Sequence, residues 1–271
     1  MTYNSIFPSL LLFPALLCLT PCGAQTLNFD FESDLQGWTC DFADYPMADS
    51  VNWHLQYKVG AMPDITPSQN GVVMKGDNFS DDLFFFLKKR ITGLAANTSY
   101  TVFYSIDVVT NSGPGSIGGS DLMLKAGATL IEPKKEIGSG GMYRMNIAKS
   151  NQSSPGPDMD TLGHVNHTDP ASRKYLKTTF KNDKRPFSIK TDAKGEVWLI
   201  VGAESQFETP AEFLVAAITV TMTSPTGVIS RFPAMGKPGS AKGGYGPVYD
   251  FSGRRVLNAR MPCKGIVFFV R

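Results

Sequence analysis

Alternation of apolar and polar residues is the clearest pattern along this chain, and it predicts β-strands. Over 100–108 every second residue is apolar and most of the residues between them are polar, which is typical of a strand with one buried face. A second alternating run covers 214–222 and predicts another strand. Its expected shared face consists of Leu214, Ala216, Ile218, Val220 and Met222. The stretch 196–202 is apolar on both faces, which favours a central strand.

The stretch 82–91 admits two interpretations. It could begin a helix with Ser80 as the N-cap. Its cluster of phenylalanines and the alternation of Leu83, Phe85 and Leu87 favour a strand instead. We therefore predict a strand here.

Loop-forming residues separate these runs. Clusters of Gly, Pro, Ser and Asn occupy 111–120, 138–141 and 151–160. Many short strands joined by such loops are typical of two packed antiparallel sheets. The predicted fold is all-β, a jelly-roll-like two-sheet β-sandwich over residues 25–222, with a β-hairpin tail at the C-terminus.

The N-terminal 24 residues resemble a signal peptide. Their apolar run, 6–19, is too short to span a bilayer and is followed by small residues. Cleavage after Ala24 would leave Gln25 as the mature N-terminus. The segment lacks the usual Lys or Arg before the apolar run, and lipidation of Cys22 is the rival interpretation, although Pro21 is unusual before a lipidated cysteine.

The composition of the chain limits the kinds of partner that it can attract. The chain has 26 basic and 24 acidic residues, so it offers no strong field for nucleic acid or an anionic membrane. No segment after the leader reaches the roughly 18 consecutive apolar residues of a membrane helix. Only Cys40 and Cys263 remain in the mature chain. They could pair in an oxidising compartment or stay unrelated thiols.

Two segments, 27–42 and 93–108, resemble strands of the jelly-roll modules attached to secreted bacterial glycosidases. The residues that carry this resemblance are Phe31, Glu32, Gly37, Trp38, Gly93, Leu94, Asn97, Thr98 and Tyr100. The phrases SDDLFFFLKKRITGL, GGMYRMNIAKSNQ and WLIVGAESQFE also resemble a family of exported bacterial proteins without an assigned function. The first resemblance implies a carbohydrate-binding type of sandwich.

The jelly-roll resemblance also implies a structural calcium held by carboxylates. Glu32 matches the position of the first-strand ligand, whereas 215–218 reads Val-Ala-Ala-Ile where an Asp is expected. Asp30, Glu32 and Glu208 are the candidate calcium ligands. Turn and surface carboxylates are the alternative interpretation.

Sugar recognition by a sandwich requires exposed aromatic rings and a few orienting polar groups. The candidate ligand-binding residues are Trp53, Tyr57, His54 and Tyr45. A strand through this segment would place Trp53 and Tyr57 on one face, and core packing is the equal alternative for Trp53. We expect Trp38 and Trp198 to be core residues.

A cluster of acids and imidazoles in one predicted loop permits a different function. It contains Asp158, Asp160, His164, His167 and Asp169. The spacing of the two histidines occurs in metal sites, but no zincin Glu follows it and no helical period aligns the rings. A metal-assisted hydrolase is therefore kept as an alternative, beside a solvated polar loop.

The C-terminus carries a second segment that resembles a targeting signal. A Gly, Ser, Pro and Lys-rich linker is predicted over 223–245, followed by a hairpin over 246–271. The hairpin resembles the end of type IX secretion sorting domains of Bacteroidetes proteins, although it is much shorter than a full domain. The matching residues are Val248, Tyr249, Asp250, Ser252, Gly253, Arg254, Arg255, Val256, Lys264, Gly265, Ile266 and Arg271. A hairpin docked on the main domain is the alternative.

Together these patterns predict a secreted or cell-surface module that binds a polysaccharide or other glycan without catalysis. The resemblance of the tail implies the type IX secretion machinery as a partner. A structural or adhesive surface protein without a small ligand is the second hypothesis, and the metal-assisted hydrolase is the third.

Overall fold

A computed structural model describes residues 24–80, 82–115, 122–224, 248–249 and 255–256. Apart from the short 3₁₀ helices Ser50–Trp53 and Ser139–Gly141, every regular element in these ranges is a β-strand. The strands are β1 (Ala24–Phe29), β2 (Thr39–Ala43), β3 (Tyr45–Pro46), β4 (Gln56–Ala61), β5 (Asn70–Asp77), β6 (Phe84–Ile91), β7 (Ser99–Thr110), β8 (Leu122–Thr129), β9 (Lys135–Ile137), β10 (Met142–Met145), β11 (Met159–His164), β12 (Leu176–Lys181), β13 (Phe187–Lys190), β14 (Val197–Ser205), β15 (Pro210–Thr223), β16 (Val248–Tyr249) and β17 (Arg255–Val256). The predicted all-β class is confirmed.

Two antiparallel sheets form the sandwich. Sheet A has the order β12-β7-β15-β5-β4, with β1 paired to the end of β15 and β13 paired to the start of β7. Sheet B has the order β11-β8-β14-β6-β2. A small third sheet, β3-β10-β9, completes this unit.

The chain divides into two compact units, residues 1–227 and 228–271. Within the second unit, β16 and β17 pair antiparallel through Val248 with Val256 and Tyr249 with Arg255. The predicted signal peptide, except Ala24, and the predicted linker beyond Ser224 lie outside the described residues. Within the described part of the chain, no helix is long and apolar enough to cross a membrane.

The main core lies between sheets A and B, and strand alternation builds it. The predicted strand 100–108 is confirmed as part of β7, where Tyr100, Val102 and Tyr104 point inward and are buried. The hydroxyl of Tyr104 donates a hydrogen bond to the carbonyl of Gly127, 2.5 Å away in sheet B. Trp38 is buried in the same core, as expected.

Sheet B is covered on its outer face as well. Ile147, Met145 and Met159 pack there against Phe84, Phe86 and Ile200. This second layer explains why β14 is apolar on both faces, and it confirms the prediction of a central strand. The strand predicted over 82–91 is likewise confirmed as β6. Trp198 differs from expectation, since its side chain is only partly buried and lies 5.7 Å beneath Lys88 Nζ.

A β-bulge corrects the face predicted for β15. The register between β15 and β7 shifts between Val215 and Ala217. Val215 and Ile218 therefore both face the main core, whereas Leu214 and Ala216 face the outside of sheet A. Strict alternation across 214–222 was wrong because one extra residue in a bulge exchanges the two faces.

The outside of sheet A carries a small apolar cover at one end. Met62 and the partly buried Ile65 and Tyr175 pack there over Val73 and Val109, among others. These covering residues come from the segment after β4 and from the residue before β12. Two of its residues, Ile65 and Tyr175, also line a surface cavity.

Candidate functional site

The first cavity, of about 430 Å³, opens at the ends of β5 and β15. Alternation along β5 places Lys75 and Asp77 on the outer face of sheet A, and Lys75 lies opposite Glu212 in the strand register. His54 enters from the end of the 3₁₀ helix, where its left-handed φ of 44° turns the chain into β4. The lining consists of His54, Gln56, Lys75, Gly76, Asp77, Asn111, Pro210, Ala211 and Glu212.

Close polar contacts orient the side chains of this cavity. His54 Nδ1 lies 2.7 Å from Asp77 Oδ2, and Lys75 Nζ lies 2.9 Å from Glu212 Oε2. The hydroxyl of Tyr175 donates a hydrogen bond to Glu212 Oε1. All these pairs are partly exposed to solvent, so they hold donors and acceptors in place without enclosing them. Such an arrangement suits a ligand with several hydroxyl groups.

The second cavity has a volume of about 520 Å³ and includes Tyr175 in its lining. It is lined by Glu32, Asp64, Ile65, Thr66, Pro67, Ser68, Gln69, Tyr175, Leu176 and Lys177. The backbone N–H of Tyr175 donates to Asp64 Oδ2 at 3.1 Å, which fixes the residue before β12 begins.

Tyr175 thus connects the two cavities. Its ring lines the second cavity, and its hydroxyl bonds to Glu212 in the first. Partial burial, followed by the hydrogen bond to Glu212, raises the pKa of Tyr175 to about 12. The hydroxyl therefore keeps its proton and acts as a donor at neutral pH. We call the two cavities and this residue the Tyr175 groove.

Two of the aromatic residues predicted to contact a ligand lie in the interior. Trp53 is 1% exposed and Tyr45 is 3% exposed. Their ring centroids are 5.8 Å apart, and Phe79 packs edge-on against Trp53 at 5.5 Å. Trp53 belongs to the 3₁₀ helix, and the strand begins only at Gln56. The expected shared strand face with Tyr57 is therefore wrong.

The other two predicted ligand residues are accessible. Tyr57 is 49% exposed on the edge strand β4. It pairs with the inward-facing Met74, and its neighbour Gln56 pairs with the outward-facing Lys75. Tyr57 and Gln56 therefore point to opposite faces. Of the four predicted residues, only His54 lines a cavity of the groove.

The structure separates Glu208 from Glu32, two of the three candidate calcium ligands, whereas the N–H of Glu32 donates to the third, Asp30 Oδ1, at 3.2 Å. Asp30 Oδ1 accepts from Gln36 Nε2 at 2.7 Å, and Glu32 Oε2 accepts from the N–H of Asn70 at the start of β5. Glu208 lies two residues before Pro210, which pairs with Asp77 at the opposite end of the same strand. Eight strand residues span roughly 20 Å or more, so Glu208 and Glu32 cannot share one ion.

Two carboxylates of the hydrolase hypothesis have separate partners. Asp158 Oδ2 accepts from the N–H of Ala148 at 2.6 Å, and Asp160 Oδ2 lies 3.2 Å from Arg185 Nε. His167 is buried, and neither of its ring nitrogens has a hydrogen-bond partner. Across the described ranges, no group of three or more His, Cys, Asp or Glu side chains is placed to hold a metal ion.

Cys40 lies in the main core on β2. Burial, with a smaller contribution from Asp41, raises the pKa of its thiol to about 12. Cys263 lies outside the described residues, so pairing of the two cysteines stays a prediction.

Sequence reasoning missed most of the groove. The groove residues Lys75, Asp77, Tyr175 and Glu212 belong to three separate segments that only the sheet register brings together. The one available signal was the polar residues Lys75 and Asp77 at the end of an otherwise apolar run.

No family model matches the sequence, and no curated protein matches it. Among solved structures, it is similar to the enzymatically active domain of bacteriophage CBA120 tailspike protein 4, with 7% identity and a TM-score of 0.33 over 72% of this chain and 20% of that one. A structure of carbohydrate-binding modules from the β-sandwich superfamily has 11% identity to this chain and a TM-score of 0.34, over 70% of this chain and 59% of that one. The CBM22-1 xylan-binding domain of Paenibacillus barcinonensis Xyn10C has 12% identity to this chain and a TM-score of 0.35, over 75% of this chain and 98% of that one. The chain spans less than two thirds of the first two structures, and these low TM-scores give no basis for transferring a ligand or an activity.

Proposed function

We propose that this protein is a secreted or cell-surface, non-catalytic binding module for glycans, and that the Tyr175 groove is its ligand site. The observation that carries the proposal is the position of Tyr175, which lines one cavity and bonds to Glu212 of the other. An aromatic residue flanked by oriented polar groups is the arrangement that sugar rings require.

The size and polarity of the groove support this ligand class. Cavities of about 430 and 520 Å³ lie in the range of small-molecule sites, and together they offer room for more than one sugar ring. The partners of Asp77 and Glu212, His54 and Lys75, orient these carboxylates as acceptors for hydroxyl groups. Polar groups that are oriented in an open cavity can bind a ligand, and this is the role that we assign to the groove.

The export part of the proposal rests on the two ends of the sequence. A leader that ends at Ala24 and a tail like a type IX sorting domain are both compatible with the outer surface of a cell. N-terminal sequencing of the native protein should begin at Gln25. A mature chain that retained Met1 in the cytoplasm would contradict this part without affecting the groove.

A glycan array with the full mature chain tests the ligand class. We expect binding to at least one polysaccharide, and Tyr175→Ala should weaken it about fivefold or more, since the ring and its hydrogen bond are worth roughly 1–3 kcal/mol. Glu212→Gln should weaken the same interaction. The matched control is Tyr57→Ala, because Tyr57 is exposed but lies outside the groove.

Two outcomes would count against the proposal. Binding that Tyr175→Ala and Tyr57→Ala reduce equally would place the ligand elsewhere. A folded protein that binds no glycan would favour a structural or adhesive role.

A further inference from the structure

Lysines and carboxylates form a buried cluster on the outer face of sheet B. Lys125, Glu204, Lys149 and Asp44 each have side chains at most 6% exposed. Lys125 comes from β8, Glu204 from β14, Asp44 from the corner between β2 and β3, and Lys149 from the segment after β10. Buried charges are expensive to maintain, so this concentration of them needs a physical explanation. The Tyr175 groove does not include any of these residues.

One lysine in the cluster contacts two carboxylates. Lys149 Nζ lies 2.8 Å from Asp44 Oδ2 and 3.0 Å from Glu204 Oε1. The contact with Glu204 is a hydrogen bond, whereas Asp44 Oδ2 has no hydrogen-bond partner despite its short distance. The amine therefore approaches Asp44 without the geometry of a hydrogen bond.

The side chains of this pair are almost fully removed from water, at 6% and 5% exposure. Lys149 Nζ lies 4.8 Å from the centre of the Phe84 ring, and Phe84 is fully buried. Burial also lowers the pKa of the neighbouring Lys125. In such a site, transfer of a proton from lysine to carboxylate gives an uncharged amine beside an uncharged acid.

Arg144 and Lys125 hold the reacting groups. Arg144 Nη1 lies 3.1 Å from Asp44 Oδ1, the oxygen that Lys149 does not contact. Lys125 Nζ lies 2.8 Å from Glu204 Oε2 and leaves Oε1 to face Lys149. Asp44 itself has a left-handed φ of 63°, an uncommon conformation for a residue other than glycine.

We infer that Lys149 and Asp44 form an intramolecular amide bond, with Glu204 as the proton carrier. The bond joins the corner after β2 to the segment that covers sheet B. It would fix this cover permanently on the sandwich. The inference is independent of the proposed glycan function.

The reaction needs no oxidant or other co-reactant. Glu204 first moves a proton from the Lys149 ammonium to the Asp44 carboxylate. The Lys149 nitrogen then attacks Cγ of Asp44, and the negative charge that develops on Oδ1 faces Arg144. Glu204 carries a second proton from the nitrogen to the departing oxygen, and the Cγ–oxygen bond breaks. An ammonium and a carboxylate become an amide and one water molecule, and Glu204 returns to its starting form.

Mass spectrometry of the full mature chain tests the bond directly. We expect an intact mass that is lower by one water than the sequence mass after N-terminal processing is assigned. After denaturation and tryptic digestion, a branched peptide should join the peptide of Asp44 to that of Lys149. The variants Lys149→Arg and Glu204→Gln should each lack this branched peptide.

The chain offers an internal control for proximity alone. Lys135 Nζ also lies 2.8 Å from an aspartate, Asp41, but both side chains are more exposed, at 28% and 38%. This pair should give no branched peptide.

Three results would overturn the inference. The first is an unmodified Asp44 peptide and Lys149 peptide in the wild-type protein, a measurement that does not depend on how any variant folds. The second is a branched peptide through Lys135 and Asp41, or through Lys125 and Glu204, in place of the expected one. The third is full formation of the bond in Glu204→Gln, which would remove Glu204 from its assigned role.

Discussion

Single aromatic residues show how far the sequence alone can assign roles. Trp38 was predicted as core and is buried, because it lies beside a strand with clear alternation. Trp53 could not be assigned, since it lies in a 3₁₀ helix where no strand period applies. Its burial depends on Tyr45 and Phe79, which are neighbours in space only.

Replacement of Trp53 should therefore affect stability. We expect Trp53→Ala to lower the free energy of unfolding by about 3–5 kcal/mol, the usual cost of deleting a large buried side chain. Chemical denaturation followed by tyrosine fluorescence or circular dichroism measures this change. Tyr57→Ala is the control and should cost less than about 1 kcal/mol because Tyr57 is half exposed. Equal losses in the two variants would contradict the packing described for Trp53.

Among the elements, the strands could be predicted from the sequence, but the bulge in β15 and the segments that cover sheet B could not. The runs 82–91, 100–108 and 214–222 all form strands, since their side-chain patterns repeat every two residues. The bulge after Val215 leaves no trace in such a pattern. The cover on sheet B was also missed, because β8 is buried on both faces by segments distant in the sequence.

The close approach of β11 to β8 gives a prediction for one glycine. A Cβ atom on Gly127 would lie 1.9 Å from the carbonyl oxygen of Asp158, so β11 would have to move. We expect Gly127→Ala to destabilise the protein by about 1–3 kcal/mol, as overpacking usually does. In Gly60→Ala the nearest contact is 3.5 Å, to a flexible lysine side chain. A thermal unfolding series should show a lower midpoint for the first variant only, and unchanged midpoints in both would exclude the close contact.

At the scale of the whole molecule, the two-sheet architecture could be predicted from the sequence, whereas the candidate site became apparent only in the structure. Two-sheet architecture follows from many short strands with loop residues between them. The Tyr175 groove requires Asp77, Tyr175 and Glu212 to meet, and their sequence separations exceed any local pattern. These residues come together through the long-range strand register, which depends on how the complete sheets pack.

The burial of ionisable groups in the sandwich determines how its stability responds to alkaline pH. Burial raises the pKa of Cys40 to about 12 and also raises that of Tyr104, so the folded state keeps protons that the unfolded chain releases. Stability should therefore fall as pH rises above the ordinary thiol value, by up to about 1.4 kcal/mol per pH unit from Cys40. Lys125 acts in the opposite direction, because burial lowers its pKa in the folded state.

A comparison with Cys40→Ala isolates one of these contributions. Denaturation midpoints of both chains between about pH 8 and 12 should converge as pH rises, because the variant loses the core packing of sulfur at every pH but has no thiol to ionise on unfolding. The contributions of Tyr104 and Lys125 are common to both chains and cancel in the difference. Parallel curves would mean that the Cys40 thiol ionises as readily in the folded protein as in the unfolded one, which is incompatible with its position in the main core.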